Sequence, residues 1–406
     1  MNLSRRILLP VVAAALGYFV DLYDIVLFGV VRVSSLTELG YTGADNTAWG
    51  IRLLNTQMIG LLLGGFFWGL IGDTRGRRTA LLATITLYSL ANIANAFVTD
   101  IHSYAALRFL AGFGLAGELG AGITLIAELL PAQRRGYGTT VVAFLGLCGA
   151  LTAALVGGLL PWRMAYLVGG VMGLAVLALR WRVVMESPLF VPNQVSMSRG
   201  LRLLFGRPKL LGRFLAVTLV AVPIWSLSAL FVNLAPEFGK ALGFAAPLKV
   251  HAVLLWQASG LALGSALAGV ASEQLRSRRK VIALSLLAIA VLTPVLLTQT
   301  DAAGWCLVMA LIGLAQGYWA VYVTFAAEQF GTDLRATVAT AAPNLVRAAV
   351  VPTTLGVQAL VPTLGWLYSS ELVLATVLPL ALLALWRLRE TYGVTLDFRE
   401  ANSTRA

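Results

Sequence analysis

The chain has 406 residues, of which 59% are hydrophobic and 12% charged, and its formal net charge is +12. Soluble domains run near a quarter charged, so the composition excludes a water-soluble enzyme or binding module and describes a chain built to lie in a bilayer. The excess of positive charge does not indicate a nucleic-acid partner, because the basic residues are spread between apolar segments instead of forming one patch.

At about 20 residues per crossing, hydropathy predicts spans at residues 7–33, 49–72, 79–98, 104–129, 137–160, 163–185, 211–236, 249–272, 280–298, 304–329, 336–361 and 366–388. The expected fold is therefore an all-α membrane protein of twelve transmembrane helices in two six-helix bundles. Residues 1–185 form the first bundle, 186–210 a polar, proline-bearing cytoplasmic linker, 211–389 the second bundle, and 390–406 a cytoplasmic tail. Most of the basic residues fall on the side that holds Arg5, Arg75, Arg134, Arg180, Arg207, Arg278, Arg335 and Arg387. The positive-inside rule puts that side, and both termini, in the cytoplasm. No small-residue cleavage pattern follows Arg5 and Arg6, so the first span is expected to be retained. A GxxxxGK[ST] phosphate loop is absent, which argues against a nucleotide-driven motor. Cys148 and Cys306 lie in apolar segments and His102 and His251 are isolated, so neither disulfides nor a metal site are expected.

The first span contains GYFVDLYDIVLFGVV, with Asp21 and Asp24 three residues apart. Each would cost about 2.5–3.5 kcal/mol at a bilayer centre. From the helical rise, Asp21 lies roughly 21 Å and Asp24 roughly 25 Å from the cytoplasmic side. The second span opens with the polar groups Arg52, Asn55 and Gln57 and leads into GLIGDTRGRRTALL at 69–82. In that loop Gly69 and Gly72 allow close helix approach and Gly76 a tight turn. Asp73 can accept from guanidinium groups, while Arg75, Arg77 and Arg78 hold the cytoplasmic face. The fourth span, within RFLAGFGLAGELGAGITLIAELLPAQRRG at 108–136, enters from outside. Arg108 is then roughly 6 Å deep and Glu118 roughly 21 Å. Glu118 is thus level with Asp21, and Arg108 shares the outer half with Asp24. Glu128 and Arg135 close this span, and Glu186 follows the sixth.

The second half echoes the first: GLIGDTRGRR recurs loosely as GVASEQLRSRR at 269–279, and IAELLPAQRRG as AAEQFGTDLRA at 326–336, which carries Glu328 and Arg335. Six-helix repeats around a midplane site are a secondary-transporter architecture. Polar groups in this half are Trp225, Gln257, Gln316, Tyr318, Trp319, Tyr322, Asn344 and Arg347. Arg347, roughly 16 Å deep, is always charged and suits a carboxylate, with Asn344 on the same helical face.

The spacing G-x-x-x-D-x-R-G-R-R closely resembles the signature loop of the major facilitator superfamily. R-x-x-x-G-x-x-x-x-G-E followed by E-x-x-P-x-x-x-R-G resembles the metabolite:proton symporter family and its sugar-porter and aromatic-acid relatives. VDLYDIVLFG at 20–29, PWRMAYLVGG at 161–170 and LRWRVVMESPLF at 179–190 extend the likeness over most of the first half. At Leu61 and Leu62 the chain departs from an Arg-Pro pair common in that family.

The resemblance implies a bacterial inner-membrane carrier that imports a small organic acid or zwitterion with protons by alternating access, changing no chemical bond. Its partners are the substrate and the lipid bilayer, with no obligatory protein partner and no cofactor beyond the coupling proton. It also implies that the first and fourth helices of each half line a central cavity. On that reading Asp24 pairs with Arg108, leaving Asp21 and Glu118 as two acids that do not easily both ionise and that bind the coupling proton. Arg347, Asn344, Gln316, Tyr318, Trp319, Tyr322, Trp225, Gln257, Gln57 and Arg52 are the candidate substrate residues. Gly69, Asp73, Arg75, Gly76, Arg77, Arg78, Glu128, Arg135, Glu186, Glu328 and Arg335 form the candidate gating network. The alternative is a proton antiporter exporting cationic or amphipathic compounds, which two midplane acids would also suit. A non-translocating sensor is a third, disfavoured by the short tail.

Overall fold

A computed structural model describes residues 5–118, 135–183 and 197–393. Glu128 and Glu186 lie outside the described residues, as do the side chains of Asp73, Arg77 and Arg135. The contacts divide the chain into two compact units, Met1–Ser198 and Arg199–Ala406, and the described elements in both are helical.

In the first unit α1 spans Arg5–Glu38, α2 Gly43–Arg75, α3 Arg77–Asn95, α4 Ile101–Leu115, α5 Arg135–Leu159 and α6 Trp162–Val183. Their limits follow from local chemistry. Gly76 (φ 98°, ψ 152°) separates α2 from α3 in a conformation that glycine adopts without a Cβ penalty. Asp100 starts α4 by accepting the backbone N–H groups of His102 and Ser103.

Close helix contact then depends on missing side chains. A Cβ on Gly60 would lie 2.3 Å from the Phe109 carbonyl oxygen, one on Gly64 2.2 Å from that of Phe113, and one on Gly112 2.0 Å from that of Gln57. Because lipid offers helices little hydrophobic drive to associate, such backbone-to-backbone contact between α2 and α4 supplies much of the attraction.

The second unit contains most of α7 (Met197–Gly206), then α8 (Pro208–Leu227), a π-helical turn at Ser228–Val232, α9 (Ala235–Ala241), α10 (Val250–Gln274), α11 (Arg278–Leu297), α12 (Ala302–Gln316), α13 (Trp319–Glu328), α14 (Thr332–Ala348) and α15 (Val350–Arg387). The described part of the expected linker is thus largely helical. The seventh span is α8, the π-turn and α9 together, and the tenth is α12 with α13. The eleventh is α14 with the start of α15, which Gly365 (φ 71°, ψ 175°) breaks before the twelfth. Seven segments among the described residues are long and apolar enough to cross a membrane, one of them the 51-residue stretch Thr337–Arg387.

The loop repeat extends into the helix contacts. In α10 and α12 a Cβ on Gly260 would sit 2.0 Å from the Ala310 carbonyl oxygen, on Gly264 2.0 Å from that of Leu314, and on Gly313 2.1 Å from that of Gln257. Asp301 caps α12 by accepting from Gly304, as Asp100 caps α4.

The second basic loop is held from two directions. Glu328 at the end of α13 forms a two-pronged ion pair with Arg278, at 2.6 and 2.8 Å. Arg335, the other member of the repeated motif, donates to the Phe330 carbonyl at 3.4 Å. Glu390, the first residue of the expected tail, accepts from the Ser277 hydroxyl and from the backbone N–H groups of Arg278 and Arg279 at 3.0 and 3.2 Å. It thereby anchors the chain after α15 on the N-terminus of α11. Burial pushes the Glu390 carboxyl up, but these hydrogen bonds together with those from Tyr392 and Thr391 hold it below the ordinary glutamate value.

Two outcomes are expected. Gly112→Ala and Gly264→Ala should each lower the unfolding temperature of the detergent-purified protein, with overpacking worth about 1–3 kcal/mol. Gly206→Ala, where a Cβ meets nothing within 4 Å, should not. A depressed folded-state value means that the Glu390 contribution is present above the unfolded glutamate pKa and is lost as pH falls through the folded one. Proteolysis after α15 should therefore be slow at neutral pH and speed up on acidification below about pH 4, whereas Glu390→Gln should be cut readily at both.

Candidate functional site

In the first unit the helices bury charge. Asp21, Asp24, Arg32, Arg108, Glu118 and Arg180 are all at most 2% exposed. Asp24 of α1 and Arg108 of α4 approach to 3.8 Å. Arg108 also donates to the Asn92 side-chain oxygen of α3 at 2.7 Å and lies over the Tyr166 ring of α6, 4.7 Å from its centroid. Tyr166 is fixed in turn by a 2.7 Å hydroxyl contact with Tyr104.

Glu118 follows α4 by three residues and is paired with an arginine. Both of its oxygens lie 2.8 Å from Arg180 Nη1, and one accepts from the Thr84 hydroxyl at 3.2 Å. Arg180 was expected on the cytoplasmic surface; it is instead buried in α6, with its Nε donating to the Ala13 carbonyl of α1 at 3.0 Å. The reason is rotational. Gly169, Gly173, Val176 and Arg180 form one buried stripe at helical spacing, while Trp181 on another face is 65% exposed. That stripe was the signal for Arg180 in the sequence.

Gly17 makes room for this pair, since a Cβ there would lie 1.6 Å from the Arg180 guanidinium and 2.7 Å from the Glu118 carboxylate. Asp21 lies one helical turn along α1 from Gly17, on the same face. Tyr88 of α3, fully buried, is within electrostatic reach of Asp21, Asp24, Glu118 and Arg180. Neither Tyr88 nor Asn92 was singled out from the sequence.

Other candidates of this unit lie apart. Gln57 is fully buried in α2, whereas Arg52 is exposed and stacks on Trp49, 4.9 Å from its centroid. Arg75 is exposed and Gly69 half-buried. Arg78 reaches the Trp181 carbonyl at 3.2 Å and so ties the basic loop to the end of α6.

The second unit buries amides and aromatics. Gln257 of α10 donates to Gln316 of α12 at 2.8 Å and to the Ser228 hydroxyl at 2.7 Å, and Gln316 donates to the Ile224 carbonyl at 2.9 Å. Ser228 opens the π-turn, in which Asn233 N–H reaches five residues back to the Ser228 carbonyl; such turns are frequent at functional sites. Arg347, fully buried in α14, lies over Trp225 of α8 at 5.1 Å, with buried Asn344 one turn away. Trp319 and Tyr322 stack at 5.3 Å. Tyr318 donates to the Val220 carbonyl at 2.8 Å, which ties α12 and α13 to α8.

The sequence profile of the Major Facilitator Superfamily matches residues 14–352. The niacin transporter NiaP of Acinetobacter baylyi is 31% identical over 189 residues, covering 45% of this chain and 41% of its own length. A gallate transporter of Pseudomonas putida is 30% identical over 203 residues, 49% of this chain and 44% of its own. The chain thus spans about two fifths of the curated relatives it matches. In three dimensions it is similar to a D-xylose-proton symporter, with a TM-score of 0.73 and 21% identity over 96% of this chain and 100% of the other. At that identity the likeness is one of fold.

Removing one partner of a buried pair leaves an uncompensated charge, which costs about 3–5 kcal/mol. Arg180→Met should therefore destabilise the purified protein strongly, and adding Glu118→Gln should restore much of the loss. A double-mutant cycle on thermal unfolding measures this; additive losses would mean that the two side chains do not interact.

Proposed function

The chain belongs to the Major Facilitator Superfamily, and we propose that it is a secondary active transporter importing a small organic acid or zwitterion with protons by alternating access. We place it in a bacterial cytoplasmic membrane with both termini inside. The observation that carries the reading is the buried acid–arginine cluster of the first unit, above all the pairs Asp24–Arg108 and Glu118–Arg180.

A proton and a guanidinium compete for the same carboxylate. Protonating Glu118 or Asp24 discharges the acid and releases its arginine, so proton binding changes what holds α1, α3, α4 and α6 together. Asp21, on the face of α1 that meets the Glu118–Arg180 pair, is the third acid through which the cluster loads a proton. An ion gradient drives such a cycle with no cofactor and no covalent step.

For the substrate, Arg347 against Trp225 offers a fixed cation beside an aromatic face, and Asn344 adds an amide. This combination suits a carboxylate. The names of the relatives, niacin and gallate transporters, fit the same class. The buried arginines weigh against export of a cation. Arg78 on the Trp181 carbonyl and Arg278 on Glu328 are the contacts through which the two basic loops bias the conformational equilibrium.

Proteoliposomes with an imposed pH gradient test this directly. Nicotinate, other small carboxylates, betaines and organic cations are offered in turn. Wild type should accumulate a carboxylate or zwitterion and take up protons with it. Asp21→Asn and Glu118→Gln should lose accumulation by at least about tenfold, a change equivalent to 1.4 kcal/mol or more, and Arg347→Ala should lose binding. Full accumulation by both acid variants would defeat the proton assignment, and gradient-driven efflux of a cation would favour the exporter.

A further inference from the structure

One face of α3 carries a stripe of buried polar residues. Thr84, Tyr88, Asn92 and Asn95 recur three or four residues apart and so share that face, with Ser89 beside Tyr88, and all five side chains are fully buried. The stripe touches both ion pairs: Thr84 donates to Glu118 at 3.2 Å, and Asn92 accepts from Arg108 at 2.7 Å. Tyr88 stands between these two contacts. Its hydroxyl makes no hydrogen bond among the described residues, although Asp21 and Asp24 of α1, Glu118 beyond α4 and Arg180 of α6 all act on it electrostatically.

The Ser89 hydroxyl, the Asn92 amide nitrogen and the Asn95 amide oxygen likewise have no hydrogen-bond partner among the described residues. Buried polar groups in native proteins are matched by protein or by ordered water. The opposing helix comes close: on α6 a Cβ at Gly173 would lie 2.1 Å from the Ser89 hydroxyl and 3.4 Å from the Tyr88 ring, so only a glycine there leaves the Ser89 hydroxyl and the Tyr88 ring in place.

We propose that this face of α3 is a hydrated proton relay inside the first unit, with the Tyr88 phenol as the group through which a proton passes between the Asp24–Arg108 and Glu118–Arg180 pairs. The inference rests on the proton-coupled reading above and adds the route. A phenol both donates and accepts. Its O–H bond breaks as its proton passes, directly or through one water, to the carboxylate at one end. A new O–H bond forms with a proton released by the protonated carboxyl at the other end. One acid gains a proton, the other loses one, tyrosine ends neutral, and nothing is oxidised.

Tyr88→Phe removes only the hydroxyl and keeps the ring that packs against α6. In proteoliposomes it should retain nicotinate counterflow, an exchange that needs no net proton movement. Proton-driven accumulation and nicotinate-induced proton uptake should fall at least about tenfold. Parallel loss of counterflow and accumulation would mean a structural role and overturn the relay. Wild-type coupling in the variant would also overturn it, while leaving the transport reading intact. Uncoupled uptake by the wild type would instead remove that reading and the relay together. A second measurement needs no substrate: X-ray radiolysis of water, read by mass spectrometry on the purified protein, should hydroxylate Tyr88 despite its burial. Exposed His102 serves as the positive control, and buried Tyr318, whose hydroxyl is bonded to Val220, as the dry one. A Tyr88 as unreactive as Tyr318 would overturn the proposal.

Discussion

A guanidinium in an apolar interior is costly to bury and is best compensated by a carboxylate, and the meeting of Arg180 with Glu118 organises the first unit. The pair joins α6 to the end of α4, and its remaining hydrogen bonds reach α1 through the Ala13 carbonyl and α3 through Thr84. Four helices therefore share one electrostatic knot. Its desolvation is costly, and the cost is met by geometry: Gly17 lets the guanidinium lie against the α1 backbone. The Asp24–Arg108 pair repeats the logic with Asn92 and Tyr166 as its supports. Taken as pairs, these charges are what a stable bundle tolerates and a proton can perturb.

The second unit reaches a similar packing with a different polar economy. Its α10–α12 contact, the counterpart of α2–α4, holds a neutral amide pair, Gln257 with Gln316, anchored on the Ile224 carbonyl beside a π-turn. Neutral amides do not change charge with pH; the first unit buries the acids Asp21, Asp24 and Glu118, and the second buries the cation Arg347. This division of labour follows from which residue types each half buries, since the helix contacts beneath them are nearly the same.

Much of the fold was legible because it rests on signals that one sequence carries: apolar length, loop charge and the repeated basic loops. Depth along a helix was legible too, which brought Asp24 and Arg108 to the same level. Rotation about the helix axis was harder. Arg180 sits in the run Arg-Trp-Arg at a span end, where charge alone suggests a cytoplasmic anchor, and only the stripe through Gly169, Gly173 and Val176 reveals its inward direction. Lateral neighbours were not legible at all. Nothing in the spacing shows that Glu328 would meet Arg278, or that Glu390, three residues past α15, would cap α11, because those contacts join segments tens of residues apart. Tyr88 and Asn92 escaped notice for a related reason: a tyrosine and an asparagine in a mostly apolar helix look ordinary until their neighbours are known.

The glycine contacts also record a history of the chain. Gly60 and Gly64 recur 200 residues later as Gly260 and Gly264, whereas Gly112 and Asp100 recur after 201, as Gly313 and Asp301. One residue has therefore been gained or lost between these points, and the turn is where the two copies differ. A single residue, Gly76, joins α2 to α3, but Leu275 to Ser277 join α10 to α11, with Arg276 at φ 46° in the left-handed region that Gly76 avoids straining. A duplicated ancestor could change length at that turn without loss, while the glycine register of the helices it connects stayed locked. The one-residue difference between these points thus falls at a turn that belongs to the basic loops tying the helix ends together.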